Sequence, residues 1–269
     1  MQSRIESTTN PKVKHLVRLR KSSRYRKETG LFFLEGKREI EAMLVGGREL
    51  DEIFFPQNTE SKDELSSLLE LTKGIPNFEL AEAPMKKASY RGEGTEIIGV
   101  ARSWSLDLDN CINESRDLIL ILDEVEKPGN LGAILRTAEA MGVEAIVLTD
   151  SAVDFFNPNV IRSSMGLFAS MPVFSCEKDK IIEWVKETGF SLIGTSSKAS
   201  ESIYEHNFSR QTAIVMGNES RGLGSFWDEY LKVMLSIPMS GKASSMNLNC
   251  AAAVVLAEIN RRKYSSNRF

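Results

Sequence analysis

The chain has 269 residues, of which 42% are hydrophobic and 26% are charged, and its formal net charge at pH 7 is −3. This composition is that of an ordinary soluble globular protein, and the length suggests one large or two modest domains. No apolar run approaches the ~20 residues of a membrane-spanning helix and no signal-peptide core is visible, so we expect a cytoplasmic protein without a membrane partner. Three cysteines lie far apart and only two histidines are present, which argues against a metal site and a disulfide scaffold.

The first hundred residues alternate between helical and extended patterns. Asn10-Pro11 predicts the start of a helix that carries eight basic residues and no acid between residues 11 and 27. Like charges repel unless a partner neutralises them, so this patch favours contacts with nucleic-acid phosphates over a merely solvated helix face. The candidate nucleic-acid-binding residues are Lys12, Lys14, Arg18, Arg20, Arg24 and Arg26. The other predicted elements are strands at 31–36, 50–55, 78–80 and 97–101, and helices at 37–45, 62–71 and 84–91. Residues 1–103 are thus predicted to form a small α/β domain, followed by a polar linker at 104–117.

Residues 118–269 carry a stronger alternation of strands and helices. The run 118–122 is uninterruptedly apolar, which is typical of a parallel strand covered on both faces. The predicted strands are 118–122, 145–148, 171–174, 190–195, 213–216 and 231–237, and the predicted helices are 130–141, 159–168, 178–187 and 250–259. This pattern predicts an open parallel α/β sheet, with its chemistry in the loops that leave the carboxyl ends of the strands. The last helix is almost entirely apolar or small, so we expect it to be buried on most sides.

Four loops at predicted strand ends carry glycines and polar side chains, at 127–132, 194–197, 217–224 and 237–249. Glycine lets the backbone approach a ligand closely. Familiar nucleotide motifs fail, because Gly241-Lys242 is followed by Ala243 rather than Ser or Thr, and no G-x-G-x-x-G follows the strand at 118–122. A P-loop enzyme is therefore excluded, and a dehydrogenase on a parallel sheet is a remote alternative.

Three of these loops resemble the ordered motifs of the SpoU (TrmH) family of RNA 2′-O-methyltransferases in the SPOUT superfamily. The matching stretches are PGNLGAILRTA at 128–138, VMGNESRGL at 215–223, and IPM, SMN and AAA within 237–253. The resemblance covers residues 118–262, and residues 1–103 are similar to the substrate-binding domain of many members. It implies a deep trefoil knot in a catalytic domain at 118–269, S-adenosylmethionine as cofactor, and a homodimer. The N-terminal domain is similar to those of ribosomal RNA enzymes, so ribosomal RNA is the favoured substrate. The alternatives are a transfer RNA methyltransferase and an RNA-binding protein of the same fold without turnover.

The resemblance also implies site residues, by position in the motifs. At the reaction site it implies Arg136, Asn130, Glu219, Ser245 and Asn247. For the cofactor it implies Gly194, Thr195, Gly217, Ile237 and Met246.

The family arginine is proposed as a base, but a guanidinium is effectively always charged in proteins. We therefore expect Arg136 to bind the target phosphate and to stabilise the forming alkoxide. Glu219 is expected to orient Arg136 or a neighbouring loop, and Ser245 and Asn247 to position the ribose or hold their loop. Simpler roles stay open: the two asparagines cap helices and Glu219 closes a turn. Asn249 departs from the family pattern, which commonly has a small residue there, and its partner is left open.

Overall fold

The computed structural model describes residues 3–57, 68, 70–92, 94, 96–111 and 116–266. It divides into two compact units, Met1–Trp104 with Asp154–Ser170, and Ser105–Val153 with Met171–Phe269. The predicted domain ranges differ from these units in two respects, since they place residues 154–170 in the C-terminal domain and treat residues 105–117, which belong to the second unit, as a linker. Most of the predicted helix at 62–71 lies outside the described residues.

Most of the described elements follow the predicted alternation with small shifts at their ends. The helix predicted to carry the basic patch is divided at Ser22 into two helices, and the last helix runs to Ser266 rather than to residue 259. The strands are β1 (Ser3–Ile5), β2 (Leu31–Glu35), β3 (Leu50–Pro56), β4 (Asn77–Leu80), β5 (Ile98–Arg102), β6 (Leu118–Asp123), β7 (Ala145–Thr149), β8 (Val173–Cys176), β9 (Ser191–Thr195), β10 (Glu201–Ser202), β11 (Thr212–Met216) and β12 (Val233–Ser236). The helices are α1 (Pro11–Lys21), α2 (Ser23–Thr29), α3 (Lys37–Val45), α4 (Glu82–Ala88), α5 (Pro128–Ala140), α6 (Pro158–Ser164), α7 (Lys178–Thr188) and α8 (Leu248–Ser266). Strands β1 and β10 are absent from the sequence prediction, because three and two residues are too few to show a pattern.

The first unit is built on a mixed sheet of five strands in the order β1-β4-β3-β5-β2. The strands β1, β4 and β3 are parallel, whereas β5 runs antiparallel to both β3 and β2. Helix α1 begins after Asn10 as predicted, because the Asn10 side chain accepts a hydrogen bond from the Lys12 amide at 2.9 Å. Its apolar residues Val13, Leu16 and Leu19 are fully buried in the core of this unit. The basic side chains of α1 are therefore left on its other faces.

Residues Asp154–Ser170 join the first unit through aromatic packing. The ring centroid of Phe156 lies 4.8 Å from that of Phe32 and 4.9 Å from that of Trp104. Helix α6 ends earlier than the predicted 159–168, because Met165 and Gly166 both adopt left-handed backbone angles, with φ of 54° and 94°. A short 3-10 turn, Leu167–Ala169, follows. The segment thus contributes hydrophobic core to the first unit.

The second unit contains a seven-stranded sheet in the order β10-β12-β9-β11-β6-β7-β8, with every pairing parallel. This confirms the predicted parallel α/β sheet. All residues of β6 are buried, as its apolar run predicts for a strand with neighbours on both sides. Because β12, β9, β11 and β6 are adjacent and parallel, the four predicted loops all leave the same edge of the sheet.

The last helix, α8, packs against α5 in the second unit. Its residues Ala252, Val255 and Ile259 are fully buried, but Cys250 and Ala257 are exposed. The other residues of 250–259 are buried or half-buried, which agrees with the expectation that this stretch is buried on most sides. Within the described residues, no helix is both long and apolar enough to cross a bilayer.

Candidate active site

A cavity of about 770 Å³ opens at the carboxyl edge of the seven-stranded sheet. Its lining comes from the loops that follow β9, β11 and β12, together with the first two turns of α8. Such a volume falls in the range of about 300–1,000 Å³ that is typical of small-molecule and cofactor sites. Apolar side chains, including Leu223, Met239 and Met234 of β12, share the lining with polar loop residues. The cavity is thus suited to a ligand with both apolar and polar parts.

Four of the five predicted cofactor residues lie in this lining, namely Thr195, Gly217, Ile237 and Met246. Gly194 does not, and the structure gives it a different task. A Cβ atom at Gly194 would lie 2.4 Å from Met234 Sδ and 2.7 Å from Leu231 Cδ1. The glycine therefore makes room for two side chains that form the wall of the cavity, and its direct contact with the cofactor stays a prediction.

The Gly217 loop is closed very tightly on itself. A Cβ atom at Gly217 would lie 2.4 Å from the carbonyl carbon of Gly222 and from the amide nitrogen of Leu223. The amides of Asn218 and Gly222 donate to each other's carbonyl oxygens at 3.1 and 3.0 Å. Glycine is required here because the two strands of this loop touch through their backbones.

Glu219 binds the loop that precedes α5. Its carboxylate accepts hydrogen bonds from Asn130 Nδ2 at 2.8 Å and from the amides of Glu126 and Lys127 at 3.1 and 3.2 Å. Of the two expected roles, the structure thus supports orientation of a neighbouring loop rather than a bond to Arg136. Partial burial opposes ionisation of this carboxyl, but the Asn130 side chain and the backbone amides outweigh it and hold its pKa below the ordinary value.

A second set of contacts, which the sequence prediction missed, joins the same two loops. Buried Asn218 donates from Nδ2 to the carbonyl of Glu124 at 3.0 Å, and its Oδ1 accepts from the amides of Ser220 and Arg221. Lys178 Nζ donates to Glu124 Oε1 at 2.6 Å and so lowers the pKa of that carboxyl. Glu124 has a left-handed backbone with φ of 52°. The asparagine beside Gly217 was the one visible signal, since Asn favours such turns.

Asn247 and Asn249 connect the start of α8 to α5. Asn247 Oδ1 accepts from the amide of Asn249 at 3.0 Å, and its Nδ2 donates to Asn130 Oδ1 at 3.2 Å. The predicted helix cap is present, and it carries a side-chain contact besides. Asn249 Oδ1 accepts a hydrogen bond from Thr137 Oγ1 at 2.8 Å, which identifies the partner of this unusual residue.

Arg136 is exposed on α5, one residue before Thr137. Within the described part of the chain it forms no hydrogen bond or ion pair with another residue, and Ser245 is an exposed residue of the cavity lining. The structure thus brings Asn130, Glu219 and Asn247 into one network, with Arg136 on the helix that this network holds. Its guanidinium is free to receive an anion.

The predicted RNA-binding residues of the first unit separate into two groups. Arg26 is only 4% exposed, and its guanidinium pairs with Asp154 at 2.6 Å, so this arginine is part of the core and not of a binding surface. Lys12 is half-buried and paired with Glu52. Arg20, also half-buried, donates to the carbonyl of Ala88 at the end of α4 at 3.0 Å. These three residues hold the unit together.

Three members of the predicted set remain exposed: Lys14, Arg18 and Arg24. Arg24 pairs with Glu28 at 2.7 Å, and the Arg18 guanidinium stacks over the Tyr25 ring at 3.8 Å. Lys14 and Arg18 stand four residues apart on α1, and Lys21 extends the same stripe by one turn. Among the described residues, no acidic side chain pairs with this stripe. The sequence did not distinguish the exposed basic residues from those that hold the unit together, because charge alone does not reveal burial.

Comparison with known proteins decides the family. The model of the SpoU rRNA methylase family matches residues 117–257, which is more than half of the chain. The chain belongs to the SpoU methylase family. A second family model, the MRM3-like substrate binding domain, matches residues 10–99.

Relatives of this SpoU methylase resemble it over almost their whole length. A 23S rRNA guanosine 2′-O-methyltransferase of Bacillus subtilis is 29% identical over 94% of this chain and 97% of its own. A solved RNA 2′-O ribose methyltransferase has a TM-score of 0.83 at 34% identity, covering 97% of this chain and 99% of its own. AviRb from Streptomyces viridochromogenes, solved in complex with AdoMet, has a TM-score of 0.87 at 26% identity, covering 95% of this chain and 99% of its own.

Proposed function

We propose that this protein methylates a ribose 2′-hydroxyl in ribosomal RNA, with S-adenosylmethionine as the methyl donor. The observation that carries the proposal is an unpaired, exposed arginine on α5, a helix tied through Asn130 and Glu219 to the loops that line a cofactor-sized cavity. The Bacillus subtilis relative named above acts on 23S rRNA, which supports ribosomal over transfer RNA as the substrate.

The cavity fits S-adenosylmethionine in its chemistry. Apolar side chains such as Leu223, Met234 and Met246 suit the adenine ring, and Thr195, Ser196 and the loop backbone offer hydrogen-bonding partners. Glu219 keeps an ionised carboxylate in the lining, which favours a positively charged ligand nearby. When bound, this cofactor supplies an electrophilic methyl group on a positively charged sulfur.

Arg136 acts on the other reactant. Methylation breaks the O–H bond of the ribose and the bond between the methyl carbon and the sulfonium sulfur, forms an O–CH₃ bond, leaves a neutral thioether and releases the proton to water. A guanidinium stays protonated throughout, so Arg136 binds the phosphate next to the target nucleotide and stabilises the negative charge that develops on the 2′-oxygen. Asn130 and Asn247 hold α5 and the start of α8 in place, and Ser245 at the cavity wall contacts the ribose.

We propose that the stripe formed by Lys14, Arg18 and Lys21 is the main RNA contact of the N-terminal domain. Removing one phosphate contact lowers the slope of log affinity against log salt by about 0.7–0.9. We therefore expect Lys14→Ala and Arg18→Ala each to reduce that slope in RNA-binding titrations. Lys73→Ala, at an exposed lysine outside the stripe, serves as the control. Equal slopes for all three variants would contradict this assignment.

Several features of the family complete the proposal. We propose an RNA-binding domain at 1–103, a linker at 104–117 and a catalytic domain at 118–269 whose C-terminal segment is threaded as a trefoil knot. Support for the threading is the return of the chain from β12, near one sheet edge, to α8 packed on α5.

Exposed Cys250 and Ala257 on α8 support a homodimer, since small residues allow close packing of a second copy. A ribosomal RNA substrate supports a cytoplasmic location.

The experiment that tests the proposed function is ribose-methylation mapping. Ribosomal and transfer RNA from cells with and without the gene are compared, and the purified protein is then given tritiated S-adenosylmethionine with the RNA that lacks the mark. One ribosomal 2′-O-methyl group should vanish on deletion and return in vitro. A mark in transfer RNA would move the substrate, and S-adenosylmethionine binding without methyl transfer to either RNA would refute the proposal.

A further inference from the structure

Helices α5 and α8 are joined by two side-chain hydrogen bonds near the cavity. The first joins Asn247 Nδ2 to Asn130 Oδ1 at 3.2 Å, and the second joins Thr137 Oγ1 to Asn249 Oδ1 at 2.8 Å. Asn130 and Thr137 are seven residues apart, so they lie on the same face of α5 and about 10 Å apart along its axis. Asn247 and Asn249 lie at the beginning of α8, directly after the lining residues Ser245 and Met246.

Two points of attachment restrain a helix in a way that one point does not. Apolar packing of Leu131, Ile134, Leu135 and Ala138 holds α5 in the core but is not directional. The Thr137 bond adds a directional restraint at the turn that carries Arg136. Because Arg136 is the neighbour of Thr137 and has no partner of its own in the described part of the chain, its position depends on how α5 is held.

We propose that Thr137 and Asn249 are positioning residues for methyl transfer, which fix Arg136 relative to the cavity wall at Ser245 and Met246. The proposal rests on the proposed methyltransferase function. Neither residue acts on the reacting atoms directly. The hydrogen bond between them instead sets the geometry between the Arg136 guanidinium and the ligand in the cavity.

General stabilisation of the helix pair is a competing explanation, and the structure separates the two. The pair α5–α8 buries Ala252, Val255 and Ile259, so most of its packing energy comes from apolar contacts. Farther along the same pair, Asn260 Nδ2 donates to Met141 Sδ at 4.0 Å. Asn260→Ala therefore removes a polar contact between the same segments, about 8 Å along α8 beyond Val255, the last lining residue of that helix, and is the matched control.

The test uses single-turnover methyl transfer at a temperature well below the melting temperature of every variant. Full-length protein, tritiated S-adenosylmethionine and ribosomal RNA from cells that lack the gene are the reactants. Thr137→Val and Asn249→Ala remove the bond, whereas Thr137→Ser keeps the hydroxyl and Asn249→Asp keeps an acceptor oxygen. Aspartate near a helix N-terminus is also favoured electrostatically, so Asn249→Asp does not lower helix stability.

We expect Thr137→Val and Asn249→Ala to lower the transfer rate by about 10-fold, because small misplacements of reacting groups cost large rate factors. The KM for S-adenosylmethionine should change by less than about 2-fold, since the cavity lining is intact. The double variant should be no slower than the slower single variant, because both remove one bond. Thr137→Ser, Asn249→Asp and Asn260→Ala should keep near wild-type rates.

Wild-type rates for Thr137→Val and Asn249→Ala, with an active wild-type enzyme, would overturn this inference and leave the proposed function standing. So would a rate loss in Asn260→Ala equal to theirs, since it would assign the effect to helix packing. A wild-type protein that transfers no methyl group would overturn both proposals.

Discussion

Gly217→Ala should weaken ligand binding at the proposed cofactor site, and the structure gives the size of the disturbance. The added Cβ would lie 2.4 Å from two backbone atoms of residues 222 and 223, whereas ordinary contacts begin at 3.4 Å, so the loop must open by about 1 Å. Overpacking of this kind costs about 1–3 kcal/mol in the free energy of unfolding. The same movement displaces Glu219 from its three donors, which lie on the loop before α5 and on α5 itself.

The loss should appear first in ligand affinity. Loss of one ligand contact of about 1.4 kcal/mol weakens binding tenfold, so we expect calorimetric titration to show at least a tenfold weaker S-adenosylmethionine complex. Gly224→Ala in the same loop is the control, because a Cβ there meets no atom within 4 Å and the backbone φ is −77°. Alanine at that position should raise the free energy of unfolding by about 0.4–1 kcal/mol. A Gly217→Ala protein that binds S-adenosylmethionine like the wild type would refute the reasoning.

Three further outcomes follow from the site. Arg136→Ala should bind S-adenosylmethionine normally in calorimetry yet lose methyl transfer by about 10²–10³-fold, as for other donors that stabilise an oxyanion. The pKa of Glu219 is lowered from 4.5, so its stabilising contribution is complete above that pH and is lost as pH falls through the lower folded-state pKa. At pH values between the folded-state and unfolded-state pKa, the melting temperature of Glu219→Gln should therefore depend less on pH than that of the wild type. In a Cys111→Ser background, exposed Cys250 should react with a thiol reagent in the native protein, whereas Cys176, whose pKa burial raises to about 12, should react only after unfolding.

Each of these outcomes has a result that would contradict it. Wild-type turnover by Arg136→Ala would remove the assigned role, and Arg136→Lys tests whether charge alone suffices. A Glu219→Gln protein whose melting temperature follows pH like the wild type would show that this carboxylate is not the group that titrates. Equal labelling of the two cysteines in the folded protein would contradict their different surroundings.

The sheet of the second unit was predictable because its local signals are strong. The run at 118–122 is apolar at every position, and the four glycine-bearing loops occur where strands end. The order of the strands in the sheet could not be predicted, since it depends on pairings between distant residues such as Thr212 with Leu118. Only that order explains why three separate loops line one cavity while the fourth, at 127–132, is hydrogen-bonded to one of them through Glu219.

The contacts within the site could not be predicted from the sequence either, because they also join residues that are distant along the chain. Glu219 and Asn130 are 89 residues apart, and Asn247 and Asn130 are 117 apart. The motifs grouped these residues and the structure brings them into contact, but no local pattern states which atom bonds to which. Arg26 shows the opposite failure, because a run of basic residues cannot reveal that one of them is buried against Asp154.

The return of residues 154–170 to the first unit has a consequence for dissecting the protein. A fragment that starts at residue 118 would contain Phe155, Phe156 and Phe168 without the Phe32 and Trp104 rings that cover them. Such a fragment would expose an aggregation-prone hydrophobic segment and would lack Arg26, which neutralises Asp154. The two units are therefore not separable as they stand. Expression of residues 118–269 alone calls for replacement of residues 154–170 by a short polar linker.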